Sequence, residues 1–349
     1  MIYERAIGTI NLRSCPVTIY VMIGRYEFWY EIKKQHGGAM KKQDFYKSLE
    51  KKGVSRRDFL KYCSALTVSM GLSHSLVGQV AAKIEKAAAL RPAVIWLHFG
   101  ECTGCSEAFL RTPDVGSLIL ETISVEYHET IMAASGHQAE ENLHNAVKKY
   151  DGKFVCVVEG AIATAYNGAY GKVGGRTFLE IAKEVIPHAA ATITIGTCAA
   201  YGGVAAAAPN PGGYKGVNDA LGIKAINLPG CPTNPLNLLG TIVKYLNNEA
   251  MELDEYGRPM FAYGESVHDN CPRLNHYEEG NFVSEFGSKE AEMGYCLYEL
   301  GCRGPETYNN CPTVKFNNGT SFPIQAGHPC IGCSEPDFWD TMTPFYEES

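Results

Sequence analysis

Ala93-Val94-Ile95-Trp96-Leu97, followed by Phe99-Gly100-Glu101-Cys102-Thr103-Gly104-Cys105-Ser106-Glu107, is the stretch on which the reading of this chain turns. The first five residues are an unbroken apolar run, the pattern of a parallel strand buried on both faces. A strand that ends in Gly and then C-x-x-C sets two thiols at the mouth of a sheet, where open α/β sheets bind ligands. Alone, the pair is ambiguous between a redox dithiol, zinc and iron–sulfur chemistry.

The chain has 349 residues, 45% of them apolar and 20% charged, with a formal net charge of −7. That is a globular composition of one large or two modest domains, without the basic surplus that nucleic acid requires. Thirteen cysteines are many for this length and call for disulfides, metal ligation or both. Glycines cluster beside them, where a missing side chain lets backbone approach a bulky cofactor.

From 91 to 250, apolar runs alternate with helical stretches. After the first strand come Ile123-Ser124-Val125-Glu126-Tyr127, Phe154-Val155-Cys156-Val157-Val158, Thr192-Ile193-Thr194-Ile195 and Ala225-Ile226-Asn227-Leu228. Helices are expected over about 136–150, 176–186 and 235–249. The alternation predicts an α/β domain with a flavodoxin-like, doubly wound parallel sheet. Its strand ends run into Gly100-Glu101-Cys102, Glu159-Gly160, Gly196-Thr197-Cys198 and Pro229-Gly230-Cys231-Pro232. In a parallel sheet these ends share one edge, so Cys102, Cys105, Cys198 and Cys231 are expected to converge. Four thiolates at one point fit a 4Fe–4S cluster or a tetrahedral zinc; structural zinc sites more often use local paired spacings. No G-x-G-x-x-G follows the first strand, so a nucleotide cofactor is not expected.

From 251 to 349 the periodicity fades into Gly, Pro, Asn and aromatics, and a mostly irregular domain held by a second set of ligands is expected. His268, Cys271, Cys296 and Cys302 supply one imidazole and three thiols, and Cys311, Cys330 and Cys333 supply three more thiols. Cys271-Pro272 and Cys311-Pro312 carry the proline that often follows an iron–sulfur cysteine. Three ligands suit a 3Fe–4S cluster, and spacing alone does not say what stands at the fourth corner. His276 and His328 lack the spacing of a ligand, though His328-Pro329-Cys330 places the latter beside one. His128, His137 and His144 are expected to be solvated strand-end or helix residues.

Residues 40–90 read as a twin-arginine signal peptide. Ser55-Arg56-Arg57-Asp58-Phe59-Leu60-Lys61 is its core, a mildly apolar stretch runs from Tyr62 to Ala82, and Ala87-Ala88-Ala89 offers a cleavage site. The stretch is too polar and interrupted for a good membrane anchor. Residues 1–39 are expected to be a mis-called extension ahead of a start at Met40, so no function rests on Cys15 or on Phe28-Trp29-Tyr30. This export route carries folded proteins, often with cofactor inserted, which reconciles metal thiolates with an oxidising destination.

Taken together, the motifs resemble the small subunit of the periplasmic nickel–iron hydrogenases. The resemblance covers residues 91–340 and the arginine core. It rests on Glu101-Cys102-Thr103-Gly104-Cys105-Ser106-Glu107, Gly196-Thr197-Cys198-Ala199, Pro229-Gly230-Cys231-Pro232 and Gly327-His328-Pro329-Cys330-Ile331-Gly332-Cys333-Ser334-Glu335-Pro336. It implies three clusters in a row. The proximal 4Fe–4S cluster would take Cys102, Cys105, Cys198 and Cys231. The medial 3Fe–4S cluster would take Cys311, Cys330 and Cys333, with Pro323 where some relatives put a fourth cysteine. The distal 4Fe–4S cluster would take His268, Cys271, Cys296 and Cys302. Ten cysteines are then ligands, Cys15 and Cys63 fall in the extension and signal, and Cys156 is left as a small hydrophobe in a core strand. None remains for an internal disulfide.

The resemblance further implies that hydrogen is split at a nickel–iron centre on a separate large subunit. This chain would relay the electrons, with His268 near the exit to an acceptor such as a c-type cytochrome. Gly104 and Gly203 stand where oxygen-tolerant relatives add two cysteines, which implies the standard, oxygen-sensitive group. The final Phe345-Tyr346-Glu347-Glu348-Ser349 follows no apolar run long enough to span a membrane. A periplasmic heterodimer without an anchor of its own is therefore expected, unless a separate anchor subunit exists. Glu101, Glu107 and Glu159, beside the proximal set, are expected to hydrogen-bond loop backbone, with proton transfer or subunit packing as other roles. Two rival classes are a respiratory quinone reductase subunit, which shares the proximal domain, and an exported protein with zinc or disulfides.

Overall fold

The computed structural model describes residues 42–347. The expectations for residues 1–39 and Met40 lie outside them. The five apolar runs form β1 (Ala93–His98), β2 (Ser124–His128), β3 (Val155–Glu159), β4 (Ala191–Ile195) and β5 (Ile226–Leu228). They make one sheet in the order β2-β1-β3-β4-β5 with every neighbouring pair parallel. This is the flavodoxin order, and its direction of winding reverses between β1 and β3. Val94 and Trp96 point to one face of the sheet and Ile95 and Leu97 to the other, and both faces are buried. That double burial is why the run is continuous instead of alternating.

The helices are α1 (Lys42–Lys51), α2 (Arg56–Ser69), α3 (Val77–Leu90), α4 (Gly104–Leu110), α5 (Pro113–Thr122), α6 (His137–Lys149), α7 (Phe178–Val185), α8 (Gly196–Tyr201), α9 (Val217–Leu221) and α10 (Pro235–Leu246). α6 and α7 cover one sheet face. α7 is nucleated by a capping box, with Thr177 accepting from the Glu180 N–H and Glu180 accepting from the Thr177 N–H. α5 and α10 cover the other face. α10 starts at Asn234, whose side chain accepts from the Leu236 N–H, with Pro235 in its first turn. It is buried almost all round because α1, α2 and α3 form a further layer outside it. Among the described residues no helix is long and apolar enough to cross a membrane.

Beyond residue 250 the regular elements are short, among them Met260–Tyr263, Leu274–Glu278, Lys289–Glu292, Cys311–Val314 and Phe338–Thr341. Val267, Val283, Leu297, Leu300, Phe322 and Ile324 make a small apolar core of their own, with Cys311 inside it. Polar pairs lock this part onto the sheet domain. Asn237 and Asn310 exchange amide hydrogen bonds of 3.0 and 2.9 Å. The Thr197 hydroxyl donates to the Cys333 carbonyl and accepts from the Gly230 N–H. Arg258 is the main clamp: its buried guanidinium donates to Asp254 Oδ2 at 2.6 Å and to both Glu335 oxygens at 2.9 Å. Glu335 also accepts from the Tyr308 N–H at 2.7 Å.

One expectation is corrected here. His137 and His144 are exposed, but His128 is 1% exposed. Its Nδ1 lies 3.3 Å from His98 Nε2, and its ring packs against Trp96. Burial first, then the neighbouring His98, pushes its pKa down to about 3, so it is a neutral ring inside the protein. Strand-end position is not solvation when a helix folds back over the edge.

Replacing Arg258 by Met leaves the Glu335 and Asp254 carboxylates buried without their cation. A loss of about 3–5 kcal/mol is expected, which would lower the urea midpoint in equilibrium unfolding. A midpoint within error of the parent would show that the clamp contributes nothing net.

Candidate metal centres

Three strands deliver thiols to one sheet edge. Cys102 and Cys105 sit around the start of α4 after β1, Cys198 sits in α8 after β4, and Cys231 sits in the turn after β5. All four line one cavity of about 110 Å³. Glu159, the last residue of β3, holds the loop in place. Its Oε1 accepts from the N–H groups of Cys105 (3.0 Å) and Ser106 (3.2 Å), and its Oε2 accepts from the Ser106 hydroxyl at 2.6 Å. A carboxylate at these free N–H groups stabilises the first turn of a helix. The expected backbone role of Glu159 is thus seen. Glu101 instead accepts from the Thr103 hydroxyl and meets His98 Nδ1, both at 3.2 Å, and its Oε2 is buried with no partner among the described residues. Glu107 is exposed and pairs with Arg111.

The second set lies behind the first. Cys311, Cys330 and Cys333 line a cavity of about 560 Å³ that Cys231 and Pro323 also line. The third set, His268, Cys271, Cys296 and Cys302, lines a separate pocket. The His268 ring stands edge-on to Tyr277 at 4.6 Å, and Tyr277 is exposed. Consecutive sets adjoin, the first reaching the second where Cys231 and Cys333 line the same cavity. The Cys330 N–H donates to Cys302 Sγ at 3.4 Å. The first set therefore meets the second across a shared cavity, and a peptide N–H joins the second to the third.

Burial is the leading electrostatic effect at these thiols. It pushes Cys198 and Cys330 up to about 12 and Cys333 to about 11, and holds Cys105 and Cys311 well above the ordinary thiol range. Cys231, Cys271, Cys296 and Cys302 are raised for the same reason. Thiolates crowded at such places need a cation, and a coordinating metal deprotonates thiols outright. N–H donors already face the sulfurs: Thr233 to Cys105 at 3.5 Å and Arg273 to Cys271 at 3.4 Å. The backbone also leaves room. A Cβ on Gly196, at φ +80, would fall 2.6 Å from Cys105 Sγ. Four thiols, three thiols, and an imidazole with three thiols fit iron–sulfur groups. Among the described residues every cysteine is free of a disulfide. Cys156 is wholly buried in β3, as a core thiol should be.

His98 and Ser106 are the participants that the sequence reading missed. Their signal was position: a histidine closing a buried strand just before the C-x-x-C loop, and a serine directly after its second cysteine. His328 is exposed, though it lines the cavity of the second set.

Comparison with known proteins decides the family. Residues 263–346 match the family described by the C-terminal part of the NiFe/NiFeSe hydrogenase small subunit. Residues 102–245 match that of the NADH ubiquinone oxidoreductase 20 Kd subunit. The periplasmic NiFe hydrogenase small subunit 1 of Nitratidesulfovibrio vulgaris Hildenborough is 58% identical over 305 residues, covering 86% of this chain and 95% of that one. The chain belongs to the nickel–iron hydrogenase small subunits. The equivalent protein of Solidesulfovibrio fructosivorans is 53% identical, covering 88% of this chain and 97% of that one. The reduced, active Ni-Fe-Se hydrogenase of Desulfomicrobium baculatum superposes with a TM-score of 0.69 at 38% identity, covering 74% of this chain and all of that one. Residues 102–245 are thus shared with the NADH ubiquinone oxidoreductase 20 Kd subunit family, and the C-terminal part distinguishes this family of electron-transfer subunits from it.

Gly196→Ala should lower the iron bound per chain and bleach the visible absorbance, because its methyl would collide with the Cys105 sulfur. Gly222→Ala, at a comparable φ of +67 with open space around it, carries the same backbone strain and should keep its iron. Equal iron in both variants would mean that strain, not the cradle, governs the site.

Proposed function

We propose that this chain is the electron relay of a periplasmic nickel–iron hydrogenase, paired with a large subunit that holds the nickel–iron site. Cys102, Cys105, Cys198 and Cys231 would hold a proximal 4Fe–4S cluster. Cys311, Cys330 and Cys333 would hold a medial 3Fe–4S cluster, and His268, Cys271, Cys296 and Cys302 a distal 4Fe–4S cluster. The observation that carries the reading is a pair of contacts between the sets, Cys231 in the cavity of the second set and the Cys330 N–H on Cys302 Sγ of the third. They support a linear order, with the thiols exposed at Cys102 and Cys231 at one end and the half-buried His268 at the other.

Bound clusters supply one-electron carriers between the hydrogen-splitting site and an external acceptor such as a c-type cytochrome. The chain's own residues set the conditions for that transfer. Glu159 fixes the Cys105 turn, and N–H groups of Thr233, Arg273 and Cys330 stabilise negative sulfur. Neutral imidazole at His268 in place of a thiolate removes one negative charge, which should raise the distal potential. Export by the twin-arginine route is supported by Arg56 and Arg57, which are exposed at the start of α2.

Anaerobic purification of the native protein should yield about eleven irons per chain, with nickel on a copurifying second chain. Zinc, or no metal, would overturn the ligand assignments. His268→Cys should retain iron and heterodimer while hydrogen oxidation with the natural acceptor falls. Unchanged turnover would remove His268 from the exit.

A further inference from the structure

Residues 42–90 are folded onto the rest of the chain. Phe45, Leu49, Phe59, Leu66 and Ile84 are each at most 2% exposed. They share one continuous apolar cluster with Ile119 of α5 and Leu239, Val243 and Leu246 of α10. Lys52 of the same segment pairs with Glu121 of α5, whose side chain is almost fully buried. Lys83 pairs with Glu249 at 2.9 Å, and the Asn247 side chain donates to the Lys83 carbonyl at 3.1 Å. The apolar side of the leader faces inward, while Arg56 and Arg57 face solvent.

Cleavage near Ala87–Ala89 would strip this layer away. It would bare the outer face of α5 and α10 and leave the Glu121 carboxylate without its lysine. A continuous apolar patch of that kind marks an interaction surface. The patch is also continuous with the proximal set. Cys105 packs against the same apolar cluster. Lys61 and Ala65 line one cavity together with Thr112, Asn234 and Pro235, just beyond Cys231. The partner that shields the exposed Cys102 and Cys231 therefore sits beside this face.

We propose that the folded leader is a placeholder: in the precursor, residues 42–90 occupy the α5–α10 face that the large subunit takes over on assembly. The two compete for one surface, and the large subunit presents apolar side chains there with a lysine or arginine opposite Glu121. This rests on the reading of 42–90 as a leader and of the chain as half of a heterodimer.

The test is hydrogen exchange on the full-length, cluster-loaded precursor, alone and with the purified large subunit. In the precursor alone, the amides of α2 and α3 should be protected. On adding the large subunit they should lose protection by at least tenfold, while those of α10 stay protected. Leader amides that are already unprotected in the free precursor would overturn the docking. Leader amides that stay protected in the complex would overturn the competition. Leu66→Asp should loosen the leader and speed large-subunit association several-fold, and an unchanged rate would count against the proposal. Arg56→Lys with Arg57→Lys tests the export reading apart from this. It should retain the protein in the cytoplasm without altering the exchange pattern. Normal export of that variant would remove the leader reading while leaving the docking observation intact.

Discussion

The proximal site depends on a directional constraint: β1, β3, β4 and β5 are parallel, so their carboxyl ends open on one edge. Residues that are distant in the chain are brought together by backbone hydrogen bonding alone, before any side chain chooses a partner. The reversal of winding between β1 and β3 then opens a crevice at that edge. Glu159 stands in this crevice and fastens the cysteine loop that follows the neighbouring strand. Sheet and site are therefore one piece of engineering, in which the strand pairing sets distances and the buried carboxylate sets orientation.

Much of this was legible in the sequence because period and punctuation agreed. β1 and β3 were recognised as unbroken apolar runs and the other three as short apolar stretches interrupted by Ser, Thr, Glu or Asn, and each lies within a residue or two of its expected bounds. Cys102, Cys105, Cys198 and Cys231 could be grouped because the strand ends of a parallel sheet share one edge, whereas the C-terminal cysteines had only their spacing and the family resemblance to sort them. What escaped was of two kinds. His128 and His98 form a buried polar pair, and whether a polar residue at a strand end is wet depends on what packs over it. The docking of residues 42–90 escaped as well. A mildly apolar stretch reads the same whether it awaits a translocase or covers α10, since periodicity records an amphipathic face and not its partner.

The C-terminal part shows how irregular chain can be held without long elements. Its apolar core is small, and polar fasteners carry the join to the sheet domain. Arg258 bridges Asp254 and Glu335, and Glu335 in turn takes the Tyr308 N–H. Such buried ionic joints are costly to form and costly to break, which favours a single arrangement of the loops. That arrangement seats the loop from Cys330 to Cys333 between the other two cysteine sets: Cys333 shares a cavity with Cys231, and the Cys330 N–H reaches Cys302.

The place of β5 in the sheet has a temporal consequence. It is the outermost strand on its side and the last of the five in the chain, and Cys231 follows it directly. A nascent or half-folded chain can offer Cys102 with Cys105, and later Cys198, but not the fourth corner. Only the closing of the final strand brings the fourth cysteine to the cavity that the other three line. If those four cysteines hold the proposed cluster, its capture would check that the sheet is complete, and a chain stalled short of β5 would be a poor thief of the cell's iron.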